Sequence, residues 1–487
     1  MQRRARRKIF VRVETGRAGW YNGAEVIRMR GIARWDARPY ARLDDEARQG
    51  APFICRVAPG AGKIEIDWID DGYSGAHEVF FRPREAGDWR RGGRTMDGLS
   101  DGKDYAFYVA RADKSAQSDV RLARAGAAPG TAVNYLHPDD PVYACSGRAL
   151  CSPSILRLPS GRILASMDVY APGGPQNLTI LFRSGDGGAT WDYLCELMPC
   201  FWGSLFWHAG AVYMLATASE YGDLLIGSSP DEGATWEPPV RLFPGGGMAD
   251  AGPHKAPMPV TRHAGRLWSG IDYGSWKRGG HANALLSADE CADLMNPASW
   301  ALTPFLRSDP AWPGASAGTT RGAIEGNAVP APNGGILNVL RYNCGDALPA
   351  CDRALVLRGD PENPEARLQF ERFADMPGGS NSKFQLRRDP VSGNYYALAS
   401  EIVDPERPAA RNVLSLIASA DLENWRVCAR LVDHREADPA KVGFQYPDFD
   451  FDGDDLVCFS RTAWNGARNF HDANFITFHR VENFRNL

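Results

Sequence analysis

The 487-residue chain has no long apolar run, no strong excess of charge, and none of the histidine and cysteine spacings that hold metals. Without an apolar span of about 20 residues, no transmembrane helix is expected. The start, Met1 to Lys8, is basic, but polar Glu14, Arg17 and Asn22 stand where a secretory leader would carry its apolar stretch, so the chain reads as cytoplasmic. A net charge of -4 gives no overall attraction to nucleic acid or to an anionic membrane, and any preference for anions must be local. HxH, HExxH and CxxC are all missing, so neither a metal nor a cofactor is expected.

Ten cysteines are present, and Cys145/Cys151, Cys195/Cys200 and Cys344/Cys351 form close pairs that would bridge loops in an oxidising compartment. Buried free thiols agree better with the missing leader; bridging is the alternative that would accompany secretion. With 44% hydrophobic and 23% charged residues, the chain is an ordinary folded protein with room for two or three domains.

An eight-residue pattern, SxDxGxTW, occurs twice, from Ser184 to Trp191 and from Ser229 to Trp236. Its chemistry is that of a turn: Ser and Asp side chains bond to backbone, Gly takes a conformation other residues resist, and Trp packs the turn onto a sheet. Around these copies a second unit recurs, an apolar strand, a glycine turn and another apolar strand. Six copies centre on Gly161, Gly210, Gly265, Gly334, Gly393 and Gly453. They lie roughly 50 to 70 residues apart, a spacing that suits four-stranded blades. A third apolar strand follows each hairpin, and weaker serine-aspartate turns recur at Ser287/Asp289 and Ser419/Asp421. The repeats predict an all-β six-bladed propeller over about residues 131–487. A seventh blade hidden in residues 131–150 is the less favoured count.

The two SxDxGxTW copies resemble the Asp-box (BNR) repeat of sialidase-type propellers. Residues 50–126 differ: alternating strands, Trp68, and a Leu99-x-x-Gly102-x-x-Tyr105-x-Phe107-x-Val109 run resemble a fibronectin type III β-sandwich. Residues 1–49 carry β-like alternation and stay unassigned, and Ala125 to Gly130 reads as a linker.

In such blades the start of the first strand and the end of the second share one end of the sheet, at the mouth of the central channel, with the Asp-box turns opposite. Strand starts then offer Ser152, Trp202, His254 with Lys255, Glu325, Lys383 and Tyr446. Second-strand ends offer Asp168, Glu220, Asp272, Arg341, Glu401 and Arg461. Third-strand starts offer Gln176, Asp223, Asn283, Arg353, Arg411 and Asn474. Polar residues are ordinary where strands leave a sheet. Five cations converging on one mouth in a slightly acidic protein, Lys255, Arg341, Lys383, Arg411 and Arg461, point instead to an anionic ligand. Arginine's planar fork fits a carboxylate, which makes an acidic glycan the expected partner.

The sialidase resemblance implies roles. It matches Tyr446 to a tyrosine nucleophile, Glu325 to the glutamate that activates it, and Arg341 and Arg411 to two of three arginines on the substrate carboxylate. Two positions depart from the family. Cys151-Ser152-Pro153 replaces the first Arg-x-Pro motif, and no carboxylate stands near Gln176 and Asn177 where the acid/base aspartate belongs. Asp168 is the nearest substitute.

The leading expectation is a sialidase-like glycoside hydrolase acting on a terminal uronate- or ulosonate-type sugar. A polysaccharide lyase is the alternative, with a tyrosine or a histidine (His254 or His471) as base, arginine as neutraliser, and Trp464 stacking on a sugar ring. A non-catalytic glycan-binding propeller is the third reading.

Overall fold

A computed structural model describes residue 35 and residues 50–70, 72–85, 87–316, 322–343 and 352–487. The unassigned stretch 1–49 therefore lies outside the described residues, apart from Trp35, as does the Cys344/Cys351 pair. Strands dominate, and no described helix is long and apolar enough to cross a membrane.

Two sheets form the N-terminal unit. Phe53–Gly60, Lys63–Ile69 and Thr95–Asp97 make one; Arg90–Gly92, His77–Pro83, Asp104–Arg111 and Arg121–Arg124 make the other. Alternation sends Val57, Ile64, Ile66, Val79, Phe107 and Val109 into a common interior. The Tyr105 hydroxyl accepts the Ser100 amide at 2.9 Å, pinning the corner before its strand.

Six antiparallel sheets follow. Their innermost strands are Ala149–Arg157, Phe201–His208, the split pair Gly252–His254 and Thr261–His263, then Ala323–Pro330, Gln385–Arg388 and Gly443–Asp452. The third innermost strand, whose start was read at His254 and Lys255, is split in two, with Lys255 to Val260 between the pieces. Strand Ala149–Arg157 lies against both Phe201–His208 and Gly443–Asp452, so the series closes into a ring. The last sheet borrows its fourth strand, Thr131–Tyr135, from the beginning of the region. That pairing uses the segment in which a seventh blade was conceivable.

Each sheet is covered on both faces, which explains the near-continuous apolar runs. From the first sheet, Ile155, Ala165, Met167 and Ile180 pack toward Val457, Phe459 and Phe478 of the last sheet. Leu156, Leu164 and Leu181 pack toward Leu205, Met214 and Leu225 of the second.

The two SxDxGxTW turns are built alike. Ser184 Oγ accepts the Gly188 amide at 2.8 Å, and Asp186 accepts the Thr190 amide at 2.9 Å; Ser229 and Asp231 repeat this with Gly233 and Thr235, each at 2.8 Å. Gly188 is required twice over: its φ is +98°, and an added Cβ would stand 2.2 Å from the Phe478 ring. Because Ser184 pairs with Ile163 while Thr179 pairs with Asp168, these turns sit at the opposite end of the sheet from Asp168.

The stretch read as a linker is held fast. The Ala125 carbonyl accepts from Asn465 Nδ2 at 3.0 Å, and the Ala127 carbonyl from Trp464 Nε1 at 3.0 Å. Arg121 and Asp140, both buried, join the two units at 2.6 Å. Cys145, Cys151, Cys195 and Cys200 are unbridged, so these two pairs are free thiols.

Trp35 is wedged between the first and second sheets. Its Nε1 donates to the Pro199 carbonyl at 3.1 Å, and its ring meets Trp236 at 5.6 Å. Gly227 makes room, since a Cβ there would lie 2.2 Å from that ring. Trp35→Ala should cost about 3–5 kcal/mol in a denaturant melt. Gly227→Ala should be destabilising in the wild type and nearly neutral when added to Trp35→Ala, a coupling that a double-mutant cycle measures.

Candidate active site

Four innermost strands begin with the same irregularity. Ser152, Trp202, Glu325 and Tyr446 all have φ between +48° and +61°, the left-handed region non-glycine residues seldom occupy. Each lies at a break in pairing register with the second strand, a β-bulge. A bulge interrupts the two-residue alternation and re-aims a side chain, and such strain collects at functional sites. Two bulges are clasped by the preceding sheet: Asp168 Oδ2 accepts the Trp202 amide at 2.7 Å, and Asp272 Oδ2 accepts the Glu325 amide at 2.8 Å.

On one side of the mouth, three guanidinium groups gather on Tyr446. Arg341 Nη1 donates to Glu325 Oε2 at 3.2 Å and to the Tyr446 hydroxyl at 3.4 Å. The Arg411 and Arg461 guanidinium carbons lie 5.9 and 5.2 Å from the Tyr446 ring centre. Arg411 is braced by Asn381 and Gln445, and Arg461 by the His471 carbonyl. Burial, with Arg341 and Arg461 nearby, brings Arg411 down to about 10. Burial and the Glu325 charge raise the Tyr446 phenol, while the three arginines oppose the rise. Arg461 Nε is buried with no hydrogen-bond partner among the described residues. Arg461 also lies 5.4 Å from the Tyr170 ring of the first sheet, beside Cys151 and Ser152. The last sheet thus supplies a third arginine next to the stretch where the first sheet has none.

The opposite side of the mouth is aromatic and acidic. Trp202 meets His254 at 4.4 Å, His254 meets His281 at 5.0 Å, and Trp276 meets His281 at 4.6 Å. Glu220 belongs to this side, its Oε2 accepting from Gln176 Nε2 at 2.8 Å. Sequence reasoning placed Glu220 at a strand end without giving it a role, because the two residues that meet are far apart in the chain.

Several expected site residues are engaged elsewhere. Asp168 is fully buried; Thr179 Oγ1 donates to one oxygen at 2.6 Å and the Trp202 amide to the other, so it is a clasp between sheets and not an accessible acid. Lys255 and Lys383 are buried. Lys255 Nζ donates to Ser204 Oγ at 3.1 Å, and Lys383 Nζ to the Pro447 carbonyl at 2.6 Å. Burial and mutual repulsion bring Lys255 to about 7, and burial brings Lys383 to about 8. Trp464 turns away toward His434, Phe444 and the N-terminal unit. His254 Nδ1 is 3.0 Å from Asp272, and His471 Nδ1 is 3.1 Å from Asp472. The Arg461 charge and burial lower His471 to about 4. Asp223, Glu401 and Asn474 bond within the blades, and Asn283 donates both to Asp272 and to the Ala323 carbonyl of the next sheet. Arg353 reaches the Gly314 carbonyl at 2.6 Å. Among the described residues no cluster of three His, Cys, Asp or Glu side chains is arranged to hold a metal.

No protein-family model matches the chain, and no curated protein matches it in sequence. Solved structures similar in fold include an α-L-arabinanase of Penicillium chrysogenum bound to arabinobiose, 15% identical with a TM-score of 0.50 over 74% of this chain and 99% of that one. They also include the Hadza microbial sialidase Hz136, 12% identical with a TM-score of 0.52 over 93% of this chain and 95% of that one. At these identities the likeness is one of fold, a β-propeller that glycoside hydrolases use.

The Asp168 clasp has a pH signature. Burial pushes its carboxyl up to about 8, against an unfolded value of about 3.9. The folded state holds a proton that the unfolded state has released, so Asp168's contribution to stability is full at low pH and is lost as pH rises through 8. In melts from pH 4 to 9, Asp168→Asn should remove that part of the slope and cost about 1–3 kcal/mol near pH 4 through the disturbed hydrogen bonds.

Proposed function

We propose that this protein is a retaining glycoside hydrolase that removes a terminal acidic sugar, uronate- or ulosonate-type, from a glycan. The observation that carries this reading is the convergence of Arg341, Arg411 and Arg461 on Tyr446, with Glu325 held against Arg341. Such an excess of buried positive charge favours an anion, and a sugar carboxylate meets the arginine forks in their own geometry.

Tyr446 serves as nucleophile and Glu325 takes its proton. A phenol is a weak nucleophile until deprotonated, and three cations around the ring stabilise the phenoxide. A neutral phenol also approaches an anionic substrate without the repulsion a carboxylate would meet. Arg341, touching both groups, positions the pair and faces the substrate carboxylate. The same geometry argues against a lectin-like role, since carbohydrate binding alone requires no strained tyrosine and glutamate bridged by one guanidinium. Elimination with His471 as base is disfavoured, because the Arg461 charge and burial leave that imidazole weakly basic.

The SxDxGxTW turns act as Asp-boxes that fix blade edges away from the chemistry. Residues 50–126 act as a fibronectin type III-like module, supported by the Tyr105 corner. The propeller domain is residues 131–487.

The test is a panel of uronate-capped and sialylated glycans, with reducing-sugar release and ultraviolet absorbance of an unsaturated uronate followed together. Reducing sugar without new absorbance is expected, falling at least ~10³-fold in Tyr446→Phe. New absorbance would instead establish elimination, and binding without turnover the lectin-like role.

A further inference from the structure

Resting on the hydrolase reading, we infer that Glu220 is the proton donor to the leaving group, taking the place of an acid that the first sheet does not provide. Glu220 lies on the second sheet, yet its carboxyl meets Gln176, beside the very stretch of the first sheet from which an acid is missing.

The other carboxyls of the mouth are accounted for. Asp168 and Asp272 clasp neighbouring strands, Glu325 pairs with Arg341, Asp472 is held by Asn469 and His471, and Glu401 pairs with Arg430. Glu220 has no salt bridge among the described residues and, unlike Asp168, whose two oxygens are both engaged, carries a hydrogen bond on Oε2 only. Oε1 is free to reach a glycosidic oxygen. The group is half-buried, and burial raises its carboxyl above the ordinary value, which favours the protonated form an acid needs. Tyr170 feels both Glu220 and Arg461, and Tyr221 feels both Glu220 and Tyr446, so acid and arginine sides face one mouth.

The turn carrying Glu220 is rigid. The Gly222 amide donates to the Ser219 carbonyl at 2.9 Å, the Gly247 amide to the Tyr221 carbonyl at 2.9 Å, and the Gly245 amide to Asp223 at 2.8 Å. Gln176 and Tyr221, flanking the carboxyl in space and in sequence, are both in the left-handed region, with φ of +49° and +60°. This is the pre-organisation expected of a reacting group and not of a surface glutamate.

The chemistry balances in two steps. Tyr446 gives its proton to Glu325 and its oxygen bonds to the anomeric carbon; the glycosidic C–O bond breaks, its electron pair goes to the leaving oxygen, and that oxygen takes the Glu220 proton. Water then gives a proton to Glu220 while its oxygen attacks the anomeric carbon, and the departing Tyr446 oxygen recovers the proton from Glu325.

The experiment compares two glycosides of the same acidic sugar, one with a nitrophenol leaving group and one with a sugar leaving group, using the full chain. Nitrophenolate leaves without protonation, so Glu220→Gln should lower kcat/KM at least ~10²-fold on the sugar leaving group and less than ~10-fold on the nitrophenyl glycoside, with the alkaline limb of the pH profile lost. Tyr446→Phe should abolish both. Gln176→Leu, which removes the one donor on the carboxyl, should move the alkaline limb to higher pH and keeps the proposal open to test if Glu220→Gln folds poorly. Equal losses on both leaving groups, or none on either, would overturn the assignment of Glu220 while leaving the hydrolase reading intact. No wild-type turnover on any acidic glycoside would overturn that reading and the assignment with it.

Discussion

Everything at the mouth depends on how the ring is closed. The last sheet is completed by Thr131–Tyr135, which pairs with Phe475–Val481, so the two ends of the propeller region are joined by main-chain hydrogen bonds. Closure brings the sixth sheet against the first, and Arg461 and Tyr446 beside Tyr170 and Ser152. An open series of sheets would leave these residues at two unrelated edges. Closure also packs the faces of the first and last sheets against each other, faces that an open series would leave bare.

Within the ring, function is obtained by a local departure from regular pairing. Ser152, Trp202, Glu325 and Tyr446 each occupy a conformation that costs of order 1–3 kcal/mol. The side chains of Asp168 and Asp272 hold two of these amides, so part of the strain is offset by buried hydrogen bonds. This separates two uses of acidic residues that look alike in a sequence. Asp168 and Asp272 shape the backbone, whereas Glu325 and Glu220 are left facing the mouth.

Much of this was legible from the residues. Hairpin glycines and paired apolar runs located the repeated sheets, because a blade must bury both faces and turn tightly between strands. Strand order put Tyr446, Glu325, Arg341 and Arg411 at one end of their sheets, and the fold brings them together there. The rest failed for identifiable reasons. Asp168 was given chemistry because its bond to an amide of the next sheet is invisible in one dimension. Lys255 and Lys383 stand at strand starts in the sequence, but their contacts with Ser204 and the Pro447 carbonyl, which bury them, come from neighbouring sheets and are invisible in one dimension. Glu220 had no partner until the second sheet was folded against the first. Trp464 looked like a sugar platform, and its indole instead serves the seam with the N-terminal unit.

That seam has a wider consequence. Trp464 and Asn465 belong to the loop that leads to His471, the residue whose carbonyl braces Arg461, and both are hydrogen-bonded to Ala127 and Ala125 of the preceding segment. The sandwich is therefore a buttress for one wall of the mouth and not a tethered appendage. Any force, partner or surface acting on it would be felt, through a few residues, by the guanidinium group nearest the first sheet.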